Sequence, residues 1–307
     1  MSNKIWAIGS IGIDMLAFAS KLPASGETMA GHDFMTAPGG KGLNQAIACA
    51  RLGAPTSMIG CAGDDGFGQQ VTTYMKEAGV DVSRVRKVPG MYTGVATICV
   101  ADDGANAIVV VPGANGCVSP ADVTALPYQA GDYLVAQFEV PLASTLAAFQ
   151  AARSKGARCL LNPSPIMDGA ADVMDVADII VLNEIELAHY AGLPVTAQTA
   201  DEQIIHAARH LIHHEGQTIV VTLGARGALA VNRQEDIIIP GRSVKAIDTV
   251  GAGDTFAGGL AARLLAGDTL HHAIEFANIA ASLSVQKQGA APSIPVLADV
   301  QAQKVAA

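Results

Sequence analysis

Nine residues in the last fifth of the chain, Asp248-Thr249-Val250-Gly251-Ala252-Gly253-Asp254-Thr255-Phe256, set two carboxylates around a run of small residues. Small residues at 251–253 let consecutive backbone N–H groups converge on one spot, and the helix expected behind them adds its positive end. Such a turn suits an oxyanion, in particular a phosphoryl group in transfer. Asp254, at the first helical residues, can accept the proton of an alcohol nucleophile. An ordinary capped helix start, with Asp254 merely complementing the helix dipole, fits the same residues. Neither a GxxxxGK[ST] string nor a protein-kinase catalytic loop occurs, so phosphate binding falls to Gly251–Gly253. The Gly9/Gly12 turn is a poor dinucleotide fingerprint, which counts against an oxidoreductase.

His206, His210 and His214 follow one another at i, i+4 and i+8 on a helix expected near 201–214, with His213 alongside. That spacing can build a metal site, but no acid or cysteine converges on it in sequence, and a solvated helix face is the simpler reading. His271 and His272 are read in the same way. Five cysteines lie scattered in apolar stretches with no CxxC pair, as reduced core thiols do.

These residues need a scaffold. Strands expected near 4–9, 56–60, 132–136, 157–161, 178–182 and 218–222 are spaced by helical patterns near 41–52, 67–78, 141–154, 183–191 and 201–214. That alternation implies βαβ units and a mostly parallel sheet covered on both faces. Residues 227–239 interrupt it with an antiparallel pair, and two helices, about 252–266 and 269–286, follow. Extended pieces at 13–36 and 93–111 fall outside the alternation. They are expected to form a small β-rich lid over the carboxyl edge of the sheet, with 1–12, 37–92 and 112–307 as the α/β core. Such a lid would exclude water from a phosphoryl transfer.

Half of the 307 residues are hydrophobic and 15% are charged, enough for a large core built on Ala, Val, Ile and Leu. A net charge of −9 disfavours a nucleic-acid partner, whereas backbone amides and metal ions can carry an ATP site in an acidic protein. No run approaches the ~18 apolar residues of a membrane span. The start reads as a strand rather than a signal peptide, so a soluble, cytoplasmic protein is expected.

The string at 248–256 resembles the C-terminal signature of the ribokinase-like (PfkB) carbohydrate kinases, DTxGAGDxF. Pro38-Gly39-Gly40-Lys41-Gly42-Leu43-Asn44-Gln45-Ala46 resembles the N-terminal one. Gln137-Phe138-Glu139-Val140-Pro141, Asn162-Pro163-Ser164-Pro165, Asn183-Glu184-Ile185-Glu186 and Thr222-Leu223-Gly224-Ala225-Arg226-Gly227 lie between them in the family's order, so the resemblance spans essentially the whole chain. It implies a three-layer α/β/α core with a mostly parallel sheet and a β-rich lid. The implied activity is transfer of the γ-phosphoryl of ATP to a primary hydroxyl of a small sugar, foremost D-ribose to ribose 5-phosphate. Deoxyribose, fructose, 2-keto-3-deoxygluconate or a nucleoside are the alternatives.

The resemblance implies these roles. Asp254 is the general base and the amides of Gly251, Ala252 and Gly253 form the anion hole. Asp14, Gly40, Lys41, Asn44 and Glu139 face the sugar, with Asp254. Thr222, Gly224 and Gly227 line the nucleotide, and Asn278 lies near its adenine. Asn183 and Glu186 organise Mg²⁺, largely through water, although a helix cap with its first-turn acid explains that pair equally well. A K⁺ site is implied at the Asp248 side chain, with backbone oxygens of Val250, Ser284, Lys287 and Gly289, and Ser293. A homodimer through the lid is implied as well. One position departs from the pattern: ribose-phosphorylating members carry asparagine where this chain has Gly12, which removes a hydroxyl partner. A nucleoside substrate would want an aromatic shelf, and the lid region offers Phe18, Phe34 and Tyr92. A non-catalytic sensor would have lost its base, and Asp254 is intact.

Overall fold

A computed structural model describes residues 2–305. The N-terminal third forms β1 (Ile5–Ile8), β2 (Gly12–Ala19), β3 (Asp33–Gly39), α1 (Lys41–Arg51), β4 (Thr56–Gly63), α2 (Gly66–Glu77), β5 (Asp81–Val88), β6 (Gly94–Ala101) and β7 (Asn106–Val111). After α3 (Pro120–Thr124) come β8 (Tyr133–Ala136), α4 (Leu142–Arg153), β9 (Arg158–Leu161), α5 (Ala171–Val176), β10 (Ile179–Asn183), α6 (Glu184–Ala191), α7 (Asp201–Arg209) and β11 (Thr218–Thr222). The chain ends with β12 (Gly227–Val231), β13 (Asp236–Pro240), α8 (Ala252–Leu265), α9 (Leu270–Ser284) and α10 (Leu297–Val305).

Nine strands form one sheet in the order β13-β12-β11-β10-β9-β8-β1-β4-β5. The strands from β11 to β5 run parallel, and β12 alone is reversed, antiparallel to its neighbours β11 and β13. Successive side chains of a strand point to opposite faces, and here both faces are covered. Ile5, Ala7, Ile179, Val181 and Val220 pack into a core shared with α1, α2, α8 and α9. Trp6, Ile8, Ile180, Leu182, Ile219 and Val221 pack into a second core shared with α3 to α7. Three layers, helix–sheet–helix, are the result, and the near-continuous apolar runs of the strands follow from being buried twice.

The second sheet has the order β3-β2-β6-β7. It draws on two segments separated by α1, β4, α2 and β5. β2 runs from Gly12, and β3 reaches Gly39 because Gly12 pairs with Gly39 directly before α1. The extended piece expected over 13–36 is strand only at its two ends; residues 20–32 form turns and irregular chain that link β2 to β3.

One further expectation needs correction. The helix expected over 201–214 stops at Arg209, so His210 caps it and His214 lies beyond it. His214 Nε2 instead donates to the Ala177 carbonyl at 3.0 Å and His213 sits beside Asp175, and no cluster of three or more metal-binding side chains occurs among the described residues. The polar strand β5 and the short helices α3 and α5 carry too little periodicity to stand out. Among the described residues, no helix is long and apolar enough to cross a membrane.

Candidate active site

In the large sheet, the chain winds from β1 to β4 and β5 on one side and from β8 to β11 on the other. The crevice where the winding reverses, between the carboxyl ends of β1 and β8, is the place where an open α/β sheet can take a ligand. Polar residues cluster there: Ser10 after β1, Gln137 and Glu139 after β8, Asn162 after β9, Asn183 at the end of β10 and Thr222 at the end of β11. Two helix N-termini, those of α1 and α8, close the crevice.

Asp254 sits in the first turn of α8 and is 5% exposed. Its Oδ2 accepts from Asn44 Nδ2 at 3.0 Å and its Oδ1 from Gln45 Nε2 at 2.9 Å. Burial pushes this carboxyl above its ordinary range; the nearby Lys41 charge and the two amides oppose that push, and Glu139 adds to it. Gly251 precedes α8 with φ 76°, a left-handed turn that a side chain would strain, and Thr255 N–H returns to its carbonyl at 2.9 Å. Ala252 N–H makes a long 3.3 Å bond to the Thr249 carbonyl. The N–H groups of Gly251, Gly253 and Asp254 find no acceptor among the described residues, as the first turn of a helix leaves them.

On the side of the second sheet, Asp14 of β2 is pushed up to about 6 by burial and then by the negative charges of Glu139 and Asp254. Glu139 Oε2 accepts from Lys41 N–H at 2.9 Å and from the Ser10 hydroxyl, which ties β8 to α1 and β1. Burial alone would lower the Lys41 ammonium, but the charges of Asp254, Glu139 and Glu186 outweigh it and raise it. Gly40 is the N-cap of α1, and its φ of 95° turns the chain so that Lys41 and Asn44 face the crevice. Asn44 Oδ1 is buried with no hydrogen-bond partner, an acceptor aimed where a hydroxyl donor can meet it.

Two cavities meet at Thr222, Thr249 and Gly253. The polar one, about 210 Å³, is lined by Lys41, Asn183, Glu186, Gly251 and Asp254 among others. The other, about 380 Å³, is largely apolar and holds Gly224, Gly227, Val244, Phe256 and Asn278 in its wall. Arg242 is the one charged residue among its described lining residues, and its guanidinium donates to Gln303 of α10 at 3.2 Å. Asn278 is tied to the Ile239 carbonyl at 3.4 Å. A polar channel ending at a buried carboxylate and opening into a flat apolar slot has the chemistry of a polyphosphate joined to a purine.

Asn183 and Glu186 form a capping box at the start of α6: each side chain accepts the other's backbone N–H, at 2.9 and 3.0 Å. That leaves Glu186 Oε1 free at the cavity wall, so the pair serves the helix and faces the channel at once. Hard oxygen ligands around waters suit Mg²⁺.

Asp248 binds Val250 N–H at 3.0 Å and Gly289 N–H at 2.8 Å, which draws the turn before α8 onto the segment after α9. Ser284 and Ser293 hydroxyls donate to the carbonyls of Ala281 and Ala290, and Lys287 N–H to Ser284 O. The donor set offered here is oxygen alone, a carboxylate with carbonyls and hydroxyls, as a hard monovalent cation requires.

Some residues of the site were not singled out from the sequence. Ser10 and Arg242 belong to it, and Gln45, Asn162 and Thr249, quoted only as motif members, carried no role of their own. The partners of Ser10, Gln45, Asn162 and Arg242 are remote in the chain, and no local spacing marks those contacts.

The match to known proteins agrees with this geometry. Residues 2–297 match the model of the pfkB family carbohydrate kinases. A ribokinase of Haemophilus influenzae is 37% identical, with 96% of each chain covered. A deoxyribokinase of Salmonella typhimurium is 34% identical, with 95% of each covered. The structure of Arabidopsis thaliana ribokinase complexed with ribose and ATP superimposes with a TM-score of 0.86 and 30% identity over 98% of both chains. With its two signatures brought to one crevice and the match running nearly end to end, this chain belongs to the pfkB family of carbohydrate kinases.

Proposed function

We propose that this protein is an ATP-dependent ribose kinase, forming ribose 5-phosphate and ADP, with Asp254 as the general base. The observation that carries the reading is the placement of that buried carboxylate, clamped by two amides, at the inner end of the polar channel. The sugar is held between the second sheet, acting as a lid, and the carboxyl edge of the large sheet. Asp14 and Glu139 accept from sugar hydroxyls, Asn44 Oδ1 gains the donor it lacks, and Lys41 and the Gly40 turn hold the ring against α1. Asp254 takes the proton of the primary hydroxyl, whose oxygen attacks the γ-phosphorus of ATP. The free amides of Gly251, Gly253 and Asp254, the weakly held Ala252 N–H and the positive end of α8 meet the charge on the transferring group. Thr222, Gly224, Gly227 and Asn278 seat the nucleotide.

When bound, Mg²⁺ supplies charge neutralisation along the phosphates, and Asn183 and Glu186 would hold its waters. A K⁺ ion at Asp248, Val250, Ser284, Lys287, Gly289 and Ser293 would stiffen the turn that carries Gly251. The lid leaves β7 bare, with Ile108, Val109 and Val110 each more than half exposed, as is Phe34 on β3 at the sheet's other edge, a surface suited to a second copy. A reducing cytoplasm suits the five free thiols.

A second reading, 2-deoxyribose as the preferred substrate, is favoured by Gly12. It offers no side chain to a sugar hydroxyl, and a Cβ there would lie 2.7 Å from the Gly94 carbonyl across the β2–β6 pair. A deoxyribokinase also stands among the relatives. ADP release with Mg-ATP and K⁺ across ribose, 2-deoxyribose, fructose, 2-keto-3-deoxygluconate and nucleosides separates the readings. Asp254→Ala is expected to cut kcat by roughly 10³-fold or more while sugar binding persists; near-normal turnover would sink the base assignment.

A further inference from the structure

We propose that Gln45 is a positioning residue for phosphoryl transfer: it aims the Asp254 carboxylate, and is itself aimed by Gln137 and Asn162. The proposal rests on the reading of Asp254 as base.

Gln45 follows Asn44 on α1 and is completely buried, as is Gln137. Its Nε2 donates to Asp254 Oδ1 at 2.9 Å and to Asn162 Oδ1 at 3.2 Å. Its Oε1 accepts from Gln137 Nε2 at 2.5 Å. Asn162 Nδ2 in turn donates to the Val181 carbonyl at 2.9 Å. The direction of every bond follows from one fact: an ionised carboxylate only accepts. Gln45 must therefore show its NH₂ to Asp254 and its carbonyl to Gln137, and Gln137 must answer with its own NH₂. Asn162 faces a backbone carbonyl, so its oxygen is left for Gln45. Three amides thus stand head to tail behind the base, anchored on β8, β9 and β10.

The arrangement carries a penalty that packing does not explain. Gln137 Oε1 is buried with no hydrogen-bond partner, pressed against Gly9, where a Cβ would lie 2.1 Å from it. Apolar side chains of similar volume would fill this space without an orphaned carbonyl. The amides make sense as a device for the carboxylate. Asn44 and Gln45 each occupy one carboxylate oxygen from the protein side, so a proton taken up by Asp254 can rest only on a lone pair facing the cavity and the substrate. Because both donors are neutral, they favour the ionised form without pairing off its charge. The charged groups facing Asp254 are Lys41, Glu139 and Asp14, and none of them touches Gln45. Asn44 has an end free for the sugar, whereas Gln45 meets only Asp254 and the core. Its loss is therefore expected to separate chemistry from binding.

Gln45→Met and Gln137→Met keep unbranched side chains of similar size. For Gln45→Met the expected result is a kcat lower by roughly 10- to 100-fold, with KM for sugar and ATP within about 3-fold. The acid limb of the kcat–pH profile is expected to move up by about one pH unit, as the ionised base loses a hydrogen bond. Gln137→Met is expected to move both quantities in the same direction by less. The proposal is overturned if kcat falls without a shift of the acid limb, if kcat is unchanged, or if KM for the sugar rises in step. Should Gln45→Met not fold, Gln137→Met decides, since it touches no part of Asp254: an unmoved limb overturns the proposal and a raised one supports it. Asp254→Asn tests the underlying reading separately, because turnover surviving that change removes the base whatever Gln45 does.

Discussion

Asp14 lies on the lid side of the crevice with two other carboxylates in range, and the cost of that company can be measured. Its carboxyl is raised from 3.8 to about 6 by burial, Glu139 and Asp254. Between those values the folded protein keeps a proton that the unfolded chain has lost, so Asp14's contribution to stability declines as pH rises through that window. Asp14→Asn is therefore expected to raise the thermal midpoint of the ligand-free protein at pH 8, by roughly 2–4 °C if 1 kcal/mol is recovered. The same change should raise KM for the sugar by at least about 10-fold, through loss of an ionised acceptor. A midpoint that falls at pH 8 would contradict the strain. In the wild type, KM for the sugar should rise as pH drops below about 6. At this scale the residues singled out within motifs, Asp254 in its turn and Lys41 and Asn44 in theirs, are brought together in one crevice. Gln45 was not singled out, because its partners Gln137, Asn162 and Asp254 lie 92, 117 and 209 positions away and nothing local marks the contact.

Among the elements, α6 has a start that serves two ends. Asn183 and Glu186 cap it reciprocally, which is the structural reading of an Asn-x-x-Glu string, and they also face the polar channel. The two roles separate in Glu186→Gln, since a glutamine carbonyl can still accept from Asn183 N–H. Thermal stability is expected to stay within about 1 kcal/mol of wild type, while the Mg²⁺ concentration for half-maximal activity rises roughly 5- to 10-fold. An unchanged Mg²⁺ requirement would leave α6 with a cap and nothing more. Elements buried on both faces were readable as apolar runs, as with β1, β10 and β11. β5 was missed because its Asp81–Val88 string is polar and mostly exposed at the sheet's edge. α7 was drawn too long because Leu211 and Ile212 prolong its apolar period, although the helix ends at Arg209.

For the molecule as a whole, the bare second sheet sets the expected assembly. Val109→Lys, at the middle of β7, points a charge from the exposed strand into any partner and is expected to turn a dimer into a monomer by light scattering. A wild-type protein that is already monomeric at micromolar concentration would refute pairing through this sheet. The three-layer plan was legible from strand–helix alternation, and the two lid segments were grouped because both fall outside it, whereas the parallel register of β2 on β6 was not legible, because segments so far apart share no local pattern.

That pairing, together with the clamp on Asp254, bears on how the enzyme comes into being on the ribosome. β2 has no β6 beside it until α1, β4, α2 and β5 have been made. Asp254 meets Asn44 and Gln45 across 210 and 209 residues. A nascent chain paused between Glu139 and α8 therefore carries Asp14 and Glu139 but neither Asp254 nor the Gly251 turn. With Asp254 as the base, catalytic competence is expected only once α8 has been made, near the end of synthesis.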